Sequence, residues 1–236
     1  MILSTDFHTH ILPCIDDGSQ SVEHSLEMIR KEQSDGISTI LLTPHFYPQQ
    51  MYPESFLEKR QNAMNQLLSA IPTDMDMPQF ILGAEVLFCP GMCQWEQLDA
   101  LTLGKTKYIL IEMPFTKWTD STFAELKQIH SKRGLTPILA HIERYLPSFA
   151  VNRFFNRLAA LPVLLQSNCE FLTDKRTQRM ALKLINEQKI HLIGSDCHSP
   201  TWRSPTMAQA RDVLLSKANK QALAFLEKTE NAIIQI

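Results

Sequence analysis

Ile2-Leu3-Ser4-Thr5-Asp6-Phe7-His8-Thr9-His10 is a short, apolar-rich run of strand length that ends in two histidines. Side chains of an extended chain alternate between faces, so His8 and His10 point the same way. The pattern recurs along the chain. Strand-like runs are expected at Ile2–His8, Thr39–Thr43, Gln79–Glu85, Tyr108–Met113, Thr136–His141, Val163–Ser167 and Ile190–Ser195. They are rich in β-branched residues and leucine without polar alternation, as strands covered on both faces are. Helical spacing separates most of them. One expected face carries Val22, Leu26, Ile29 and Gln33. A second carries Phe56, Leu57, Met64, Leu67, Leu68 and Ile71, a third Phe123, Leu126 and Ile129, and a fourth Met180, Leu182, Leu184 and Ile185. Segment 86–107 has no clear period. Seven strands alternating with helices predict an α/β fold with a parallel sheet, open or closed into a barrel. Either arrangement places functional residues at the carboxyl ends of the strands.

Those ends are where the ionisable residues fall. The first strand leads into His8, His10 and the loop Asp16-Asp17-Gly18, and the second ends in Thr43-Pro44-His45. The third ends in Gly83-Ala84-Glu85, and the fourth holds Glu112. The fifth ends in Ala140-His141, with Glu143 and Arg144 just beyond, and the last in Gly194-Ser195-Asp196-Cys197-His198. The sixth, ending near Ser167-Asn168, offers no strong ligand. His24, His130 and His191 lie apart from any cluster and read as ordinary packed or surface residues. Carboxylates gathered this closely repel and raise one another's pKa unless cations neutralise them. Imidazole with carboxylate suits zinc, manganese or iron rather than a structural thiolate site. Nine candidate ligands, His8, His10, Asp17, His45, Glu85, Glu112, His141, Asp196 and His198, exceed what one ion takes. Two or three ions with a bridging carboxylate fit the count.

Composition excludes other classes. With 23 Lys+Arg against 25 Asp+Glu the net charge is −2, so no broad positive field recruits nucleic acid. Tyr108–Met113 and Ala159–Leu165 are too short to span a membrane. Met1–His10 lacks a basic region and a long apolar region, so no signal peptide is expected. Five cysteines in 236 residues do not make a disulfide framework, which points to the cytoplasm. No repeat or flexible linker divides the chain, so one domain over residues 1–236 is expected.

The set His8-Thr9-His10, Thr43-Pro44-His45, Glu85, His141 and Asp196-Cys197-His198 resembles the PHP (polymerase and histidinol phosphatase) superfamily of metallophosphoesterases. Within it, four stretches are similar to the bacterial PHP-type protein-tyrosine phosphatases of capsule and exopolysaccharide synthesis: His8–Gly18, Ile111–Phe115, Ala140–Tyr145 and Gly194–His198. The resemblance implies a distorted seven-stranded β/α barrel of the TIM-like kind, with the metal site at the carboxyl ends of its strands. It implies three ion positions. His8, His10, Glu85 and Asp196 would hold one; Glu85, Glu112 and His141 the second; Asp17, His45 and His198 the third. Manganese is the implied ion, with iron, zinc or magnesium as alternatives. Arg144 and Arg203 match phosphate-binding arginines, and a metal-bound hydroxide is the implied nucleophile. The implied partner is a tyrosine-phosphorylated protein, the C-terminal tail of a bacterial tyrosine autokinase. Cys14 stands where the motif usually has Gly, and Ile142 where Pro is common.

Three rival readings follow from the same residues. Cys197 and Arg203 fit Cys-x5-Arg, the pattern of cysteine-dependent phosphatases, but the intervening loop has no Gly and one Pro, poor material for a cradle of backbone N–H groups. A PHP enzyme acting on a small ester such as histidinol phosphate keeps the metals and changes the substrate. A non-catalytic metal-binding module would be marked by lost ligands, and none is lost. The aromatics Phe46, Tyr47, Phe115, Trp118, Tyr145 and Trp202 follow ligand positions and read either as a rim for a phosphotyrosine ring or as cover for the core. The tail Ala232–Ile236 is expected to cap the sheet or meet a partner.

Overall fold

The computed structural model describes residues 3–73 and 76–234. Ile2, the expected start of the first strand, and the last two residues of the C-terminal tail lie outside them. In chain order the elements are β1 (Thr5–Thr9), α1 (Val22–Ser34), β2 (Thr39–Leu42), β3 (His45–Phe46), α2 (Pro53–Ala70), β4 (Gln79–Leu82), β5 (Glu85–Leu87), β6 (Tyr108–Glu112), α3 (Asp120–Arg133), β7 (Thr136–Leu139), α4 (Val151–Leu158), β8 (Leu164–Asn168), α5 (Cys169–Thr173), α6 (Gln178–Asn186), β9 (Leu192–Gly194), α7 (Met207–Lys217) and α8 (Lys220–Ile234). The unclear segment 86–107 contains two 3₁₀ turns, Met92–Gln94 and Glu96–Leu101.

Every ladder is parallel. The strands run β1-β2-β4 in one sheet and β3-β5-β6-β7-β8-β9 in the other. The expected strand Gln79–Glu85 is broken into two segments, and the expected strand Thr39–Thr43 is followed by a further short strand, β3, that was not expected. Pro44 has no N–H to give a ladder and separates β2 from β3, while Gly83-Ala84 separates β4 from β5. Bonds from Gly83 N to Leu42 O (2.9 Å) and from Glu85 N to Pro44 O (3.0 Å) carry the pairing across both breaks. The last strand returns to the first: Asp196 N donates to His8 O at 2.7 Å and His10 N to Cys197 O at 2.9 Å, around a parallel bridge between Thr9 and Cys197. The result is a curled, all-parallel α/β sheet.

Burial explains the apolar runs. On the inner side Phe7, Leu41, Leu110, Ile138 and Leu192 meet in one cluster, closed by Ile233 and Ile234 of α8. The C-terminal helix therefore caps the sheet, one of the two expected roles of the tail. On the outer side the helices cover alternate strand residues in a larger core. The helical faces shift from expectation in detail. In α1 the buried positions are Ser25, Met28, Ile29 and Glu32 rather than Val22, Leu26 and Gln33, because polar partners await Ser25 and Glu32 inside. Leu68 and Met180, expected on apolar faces, are exposed.

Candidate metal centre

Two glycines allow the strands bearing histidines to close up. A Cβ on Gly194 would sit 2.7 Å from His8 Cβ, and one on Gly18 would sit 2.3 Å from His10 O. Only residues without a side chain let these segments pass so near the imidazoles. Three residues of the centre adopt left-handed backbone, His141 (φ 34), Asp196 (φ 54) and Arg203 (φ 47), and so does Cys14 (φ 56). Such geometry costs of order 1–3 kcal/mol per residue and persists where its surroundings enforce it. Cys14 thus has a backbone that suits the Gly which the resemblance leads one to expect at this position.

The structure gathers all nine candidate side chains in one cluster, with His45 and Glu85 as the first residues of β3 and β5. Glu85 is central and fully buried. Its Oε2 lies 3.1 Å from His8 Nε2, 3.4 Å from His10 Nε2 and 2.9 Å from His45 Nδ1, and its Oε1 lies 2.8 Å from His141 Nε2. Glu112 Oε1 is 3.5 Å from His141 Nε2. Asp196 Oδ1 is 3.6 Å from His8 Nε2 and 3.4 Å from His10 Nε2. Asp17 stands at the open edge, 3.6 Å from His45 Nε2 and 3.5 Å from His198 Nε2. The tightest groupings differ from those the resemblance implies. His10 joins Asp17, His45 and His198 as well as His8 and Glu85, and His45 also groups with Glu85 and Glu112.

The donor set fits cations. His45 Nδ1, Glu85 Oε2 and His198 Nε2 are buried and make no hydrogen bond among the described residues. The close approaches to Glu85 Oε2 bring charges together without hydrogen-bond geometry. Buried lone pairs left this way cost free energy unless a cation takes them. Three imidazoles and a carboxylate in one grouping, two imidazoles and a carboxylate in another, suit zinc, manganese or iron.

Electrostatics show how strongly the groups act on one another. Burial opposes charge on Glu85 and Asp196, yet the surrounding imidazoles, His8 foremost, hold both carboxyls well below the usual range. Burial likewise opposes charge on His141, but Glu112 and Glu85 push its pKa up to about 9.

Arg144 and Arg203 both converge on one oxygen. Their Nη2 atoms donate to Asp196 Oδ2 at 2.5 and 2.7 Å. His198 N donates to Arg203 O at 2.9 Å, fixing that loop against the centre. Both guanidinium groups are about one-third exposed and open to solvent beside the carboxylates.

Sequence reasoning missed the residues that hold this cluster in place. Asp16, passed over for its neighbour Asp17, accepts from His10 Nδ1 at 2.7 Å and from His45 N at 2.9 Å. Gln166 Oε1 accepts from His141 N at 2.7 Å and lies 3.3 Å from His8 Nδ1. Asn168 Nδ2 donates to Asp196 Oδ2 at 2.7 Å. The available signal was Gln166 and Asn168 two apart in a buried strand, which puts both on one face.

Of the aromatics, Phe46, Trp118 and Tyr145 are buried, whereas Phe115 (61% exposed) and Trp202 (59%) stand at the rim. Phe115 stacks over Tyr145 and His141 at 5.4 and 6.3 Å, and Tyr47 stacks on His45 at 4.9 Å. Cys197 is fully buried, its Sγ 3.9 Å from Glu32 Oε1, and burial together with Glu32 and Asp6 pushes its thiol well up. A thiol held protonated is a poor nucleophile. His191 and His130 bond to backbone atoms, at 3.2 Å to Leu165 N and 3.1 Å to Leu135 O, as packed histidines do.

A curled parallel α/β sheet with a dense imidazole–carboxylate centre and paired arginines defines the class. The chain matches the family described as "Capsular polysaccharide synthesis, CpsB/CapC" over residues 4–234 and belongs to it. It is 29% identical to the tyrosine-protein phosphatase YwqE of Bacillus subtilis, over 96% of this chain and 89% of the relative. It is 26% identical to the tyrosine-protein phosphatase CpsB of Streptococcus pneumoniae, over 97% of this chain and 98% of the relative. A solved structure from work on those two proteins, described as metal-dependent tyrosine phosphatases, superposes with a TM-score of 0.80 at 26% identity, covering 96% of this chain and 93% of its own.

Proposed function

We propose that this chain is a metal-dependent protein-tyrosine phosphatase of capsule or exopolysaccharide synthesis. One observation carries the reading: nine histidines and carboxylates from six strand runs and their loops gather in one cluster, with Arg144 and Arg203 on Asp196. The tyrosine-phosphatase activity of the relatives agrees with it. We read the curled sheet as a distorted seven-stranded barrel in which β2 with β3, and β4 with β5, each count as one broken strand. The barrel forms one domain over residues 1–236.

His8, His10, Asp17, His45, Glu85, Glu112, His141, Asp196 and His198 would hold two or three divalent ions; manganese is the ion the resemblance implies. Such ions supply Lewis-acid charge to the phosphoryl oxygens and a water activated near neutral pH. Arg144 and Arg203 bind the remaining phosphoryl oxygens and stabilise charge that shifts in the transition state. Asp196 holds the two guanidinium groups ready, so little reorganisation accompanies binding. Tyr47, Phe115 and Trp202 flank the substrate ring. A phenolate is a competent leaving group without an obligatory proton donor. The substrate is a tyrosine-phosphorylated protein, the tail of a tyrosine autokinase, and the protein works in the cytoplasm.

The test is hydrolysis of a phosphotyrosine peptide by chelator-treated protein, before and after manganese is added, with a thiol alkylator in parallel. Activity should return with the ion and ignore alkylation. Activity that survives chelation and dies on alkylation would overturn the reading in favour of Cys197. Hydrolysis of histidinol phosphate but not of the peptide would overturn the substrate assignment.

A further inference from the structure

Beside the metal centre, the segment after β6 and the start of α4 enclose a cavity of about 570 Å³. Its floor is aromatic. Trp118 lies 5.4 Å from Phe149 and 5.2 Å from Phe154, and those two rings stack at 4.4 Å. Its edge is basic, with Lys117, Arg153 and Arg157. The sole carboxylate lining it, Asp120, is bonded to Arg157, whose guanidinium also sits 3.7 Å over the Phe123 ring. Lys117 and Arg153 are exposed and pair with no carboxylate among the described residues. The cavity therefore offers an apolar floor and two uncompensated positive charges.

It is close to the centre. Ring-to-ring steps of 5.0 Å from Trp118 to Tyr145 and 5.8 Å from Tyr145 to His141 separate them, with exposed Phe115 stacked above. About three or four extended residues, at ~3.3 Å each, cover such a distance. A concave site with two free cations fits a short anionic peptide segment rather than a nucleic-acid backbone or a flat membrane surface.

We propose that this cavity is a specificity subsite for the protein substrate. It takes an acidic residue three or four positions from the phosphotyrosine, pairs its carboxylate with Lys117 and Arg153, and seats a neighbouring apolar side chain against Phe149, whose ring the buried Trp118 and Phe154 hold in place. The proposal rests on the phosphotyrosine reading. It assigns to this surface the choice among phosphotyrosines, which a centre that grips only phosphate and ring does not make.

The experiment compares two phosphotyrosine peptides that differ only by Glu or Gln at the third and fourth positions on both sides. Each is hydrolysed by the manganese-loaded wild type and by a Lys117→Ala/Arg153→Ala variant, with p-nitrophenyl phosphate as a small substrate. Wild type should show a KM for the Glu peptide about 5- to 10-fold lower, the scale of one or two partly exposed ion pairs, at similar kcat. The double variant should erase that difference and leave p-nitrophenyl phosphate hydrolysis unchanged. Equal KM values in wild type, or discrimination that survives in the variant, would overturn the subsite. Failure of wild type on both peptides while it hydrolyses p-nitrophenyl phosphate would overturn the phosphotyrosine reading and the subsite with it, a result recognisable before any variant is made.

Discussion

Asp16 accepts a hydrogen bond from His10 Nδ1 at 2.7 Å, and so turns His10 Nε2 toward Glu85 and Asp196. The same carboxylate accepts from His45 N and, through Oδ1, from Gly18 N, both at 2.9 Å. Burial opposes its charge, but His10 and the backbone donors hold it well below the usual carboxylate range. One side chain thus orients the His10 ring and ties the loop after β1 to the start of β3. A carboxylate behind a ligating histidine typically contributes about 10- to 100-fold in metal affinity or activity. Asp16→Asn should lose manganese affinity on that scale while its circular dichroism stays unchanged. Titration with the metal checks this, and undiminished affinity would show that His10 needs no such support.

Arg144 and Arg203 meet on Asp196 Oδ2, so removing one leaves the other in place. Each should contribute transition-state stabilisation more than ground-state binding, because its partners are fixed before substrate arrives. Arg203→Ala should lower kcat by about 10²- to 10³-fold, the usual loss for one preorganised donor. Metal content by elemental analysis should stay at the wild-type level. A fall in bound metal instead would make Arg203 a support for Asp196.

The clustered histidines and carboxylates were legible because most of them lie at or near the end of an apolar run, where a β/α sheet exposes polar residues. Convergence of His8, His45, Glu85 and Asp196 follows from strand direction alone. β3 beyond Pro44 was not legible, because two residues led by a histidine carry no strand pattern, and the break at Gly83-Ala84 was not, because the apolar pattern runs through it. Asp16 and Asp17 are neighbours of the same type, and only the left-handed turn at Cys14 and the contact of Gly18 with His10 settle which one faces inward. Ser25 and Glu32 were passed over on α1 because helical spacing counts apolar residues, whereas this face buries polar ones against polar partners.

His191 supplies a pH test away from the centre. Its Nδ1 accepts from Leu165 N at 3.2 Å, and burial lowers its pKa from 6.5 to about 4. The folded state holds the ring neutral, while the unfolded chain protonates it near its ordinary value. Its contribution is therefore present above about pH 6.5 and is lost as pH falls toward 4. That loss should amount to about 1–3 kcal/mol across the window. Denaturant unfolding of metal-free protein at pH 7 and pH 5 checks it: His191→Gln should be less stable than wild type at pH 7, with a smaller drop on acidification. An equal drop in both proteins would assign the acid sensitivity elsewhere.

Glu32 and Asp6 give the opposite sign. Both are fully buried, one on α1 and one on β1, and burial raises both carboxyls, Glu32 well above its usual value with Asp6 adding to the effect. Asp6 Oδ1 accepts from His8 N at 3.1 Å and Ser195 N at 2.9 Å, tying the first strand to the last, while Asp6 Oδ2 and Glu32 Oε2 find no partner among the described residues. Two carboxyls so placed are most stable sharing a proton, since two buried like charges cannot both ionise cheaply. A raised folded pKa means the stabilisation is complete below the ordinary value near 4.5 and is lost as pH rises from there through the folded value. Glu32→Gln supplies a permanent amide donor toward Asp6 and needs no proton. Its stability should decline less than that of wild type between pH 5 and pH 9, measured by denaturant unfolding of the metal-free protein. Parallel curves for the two proteins would mean that the pair is already ionised and paired in some other way at neutral pH.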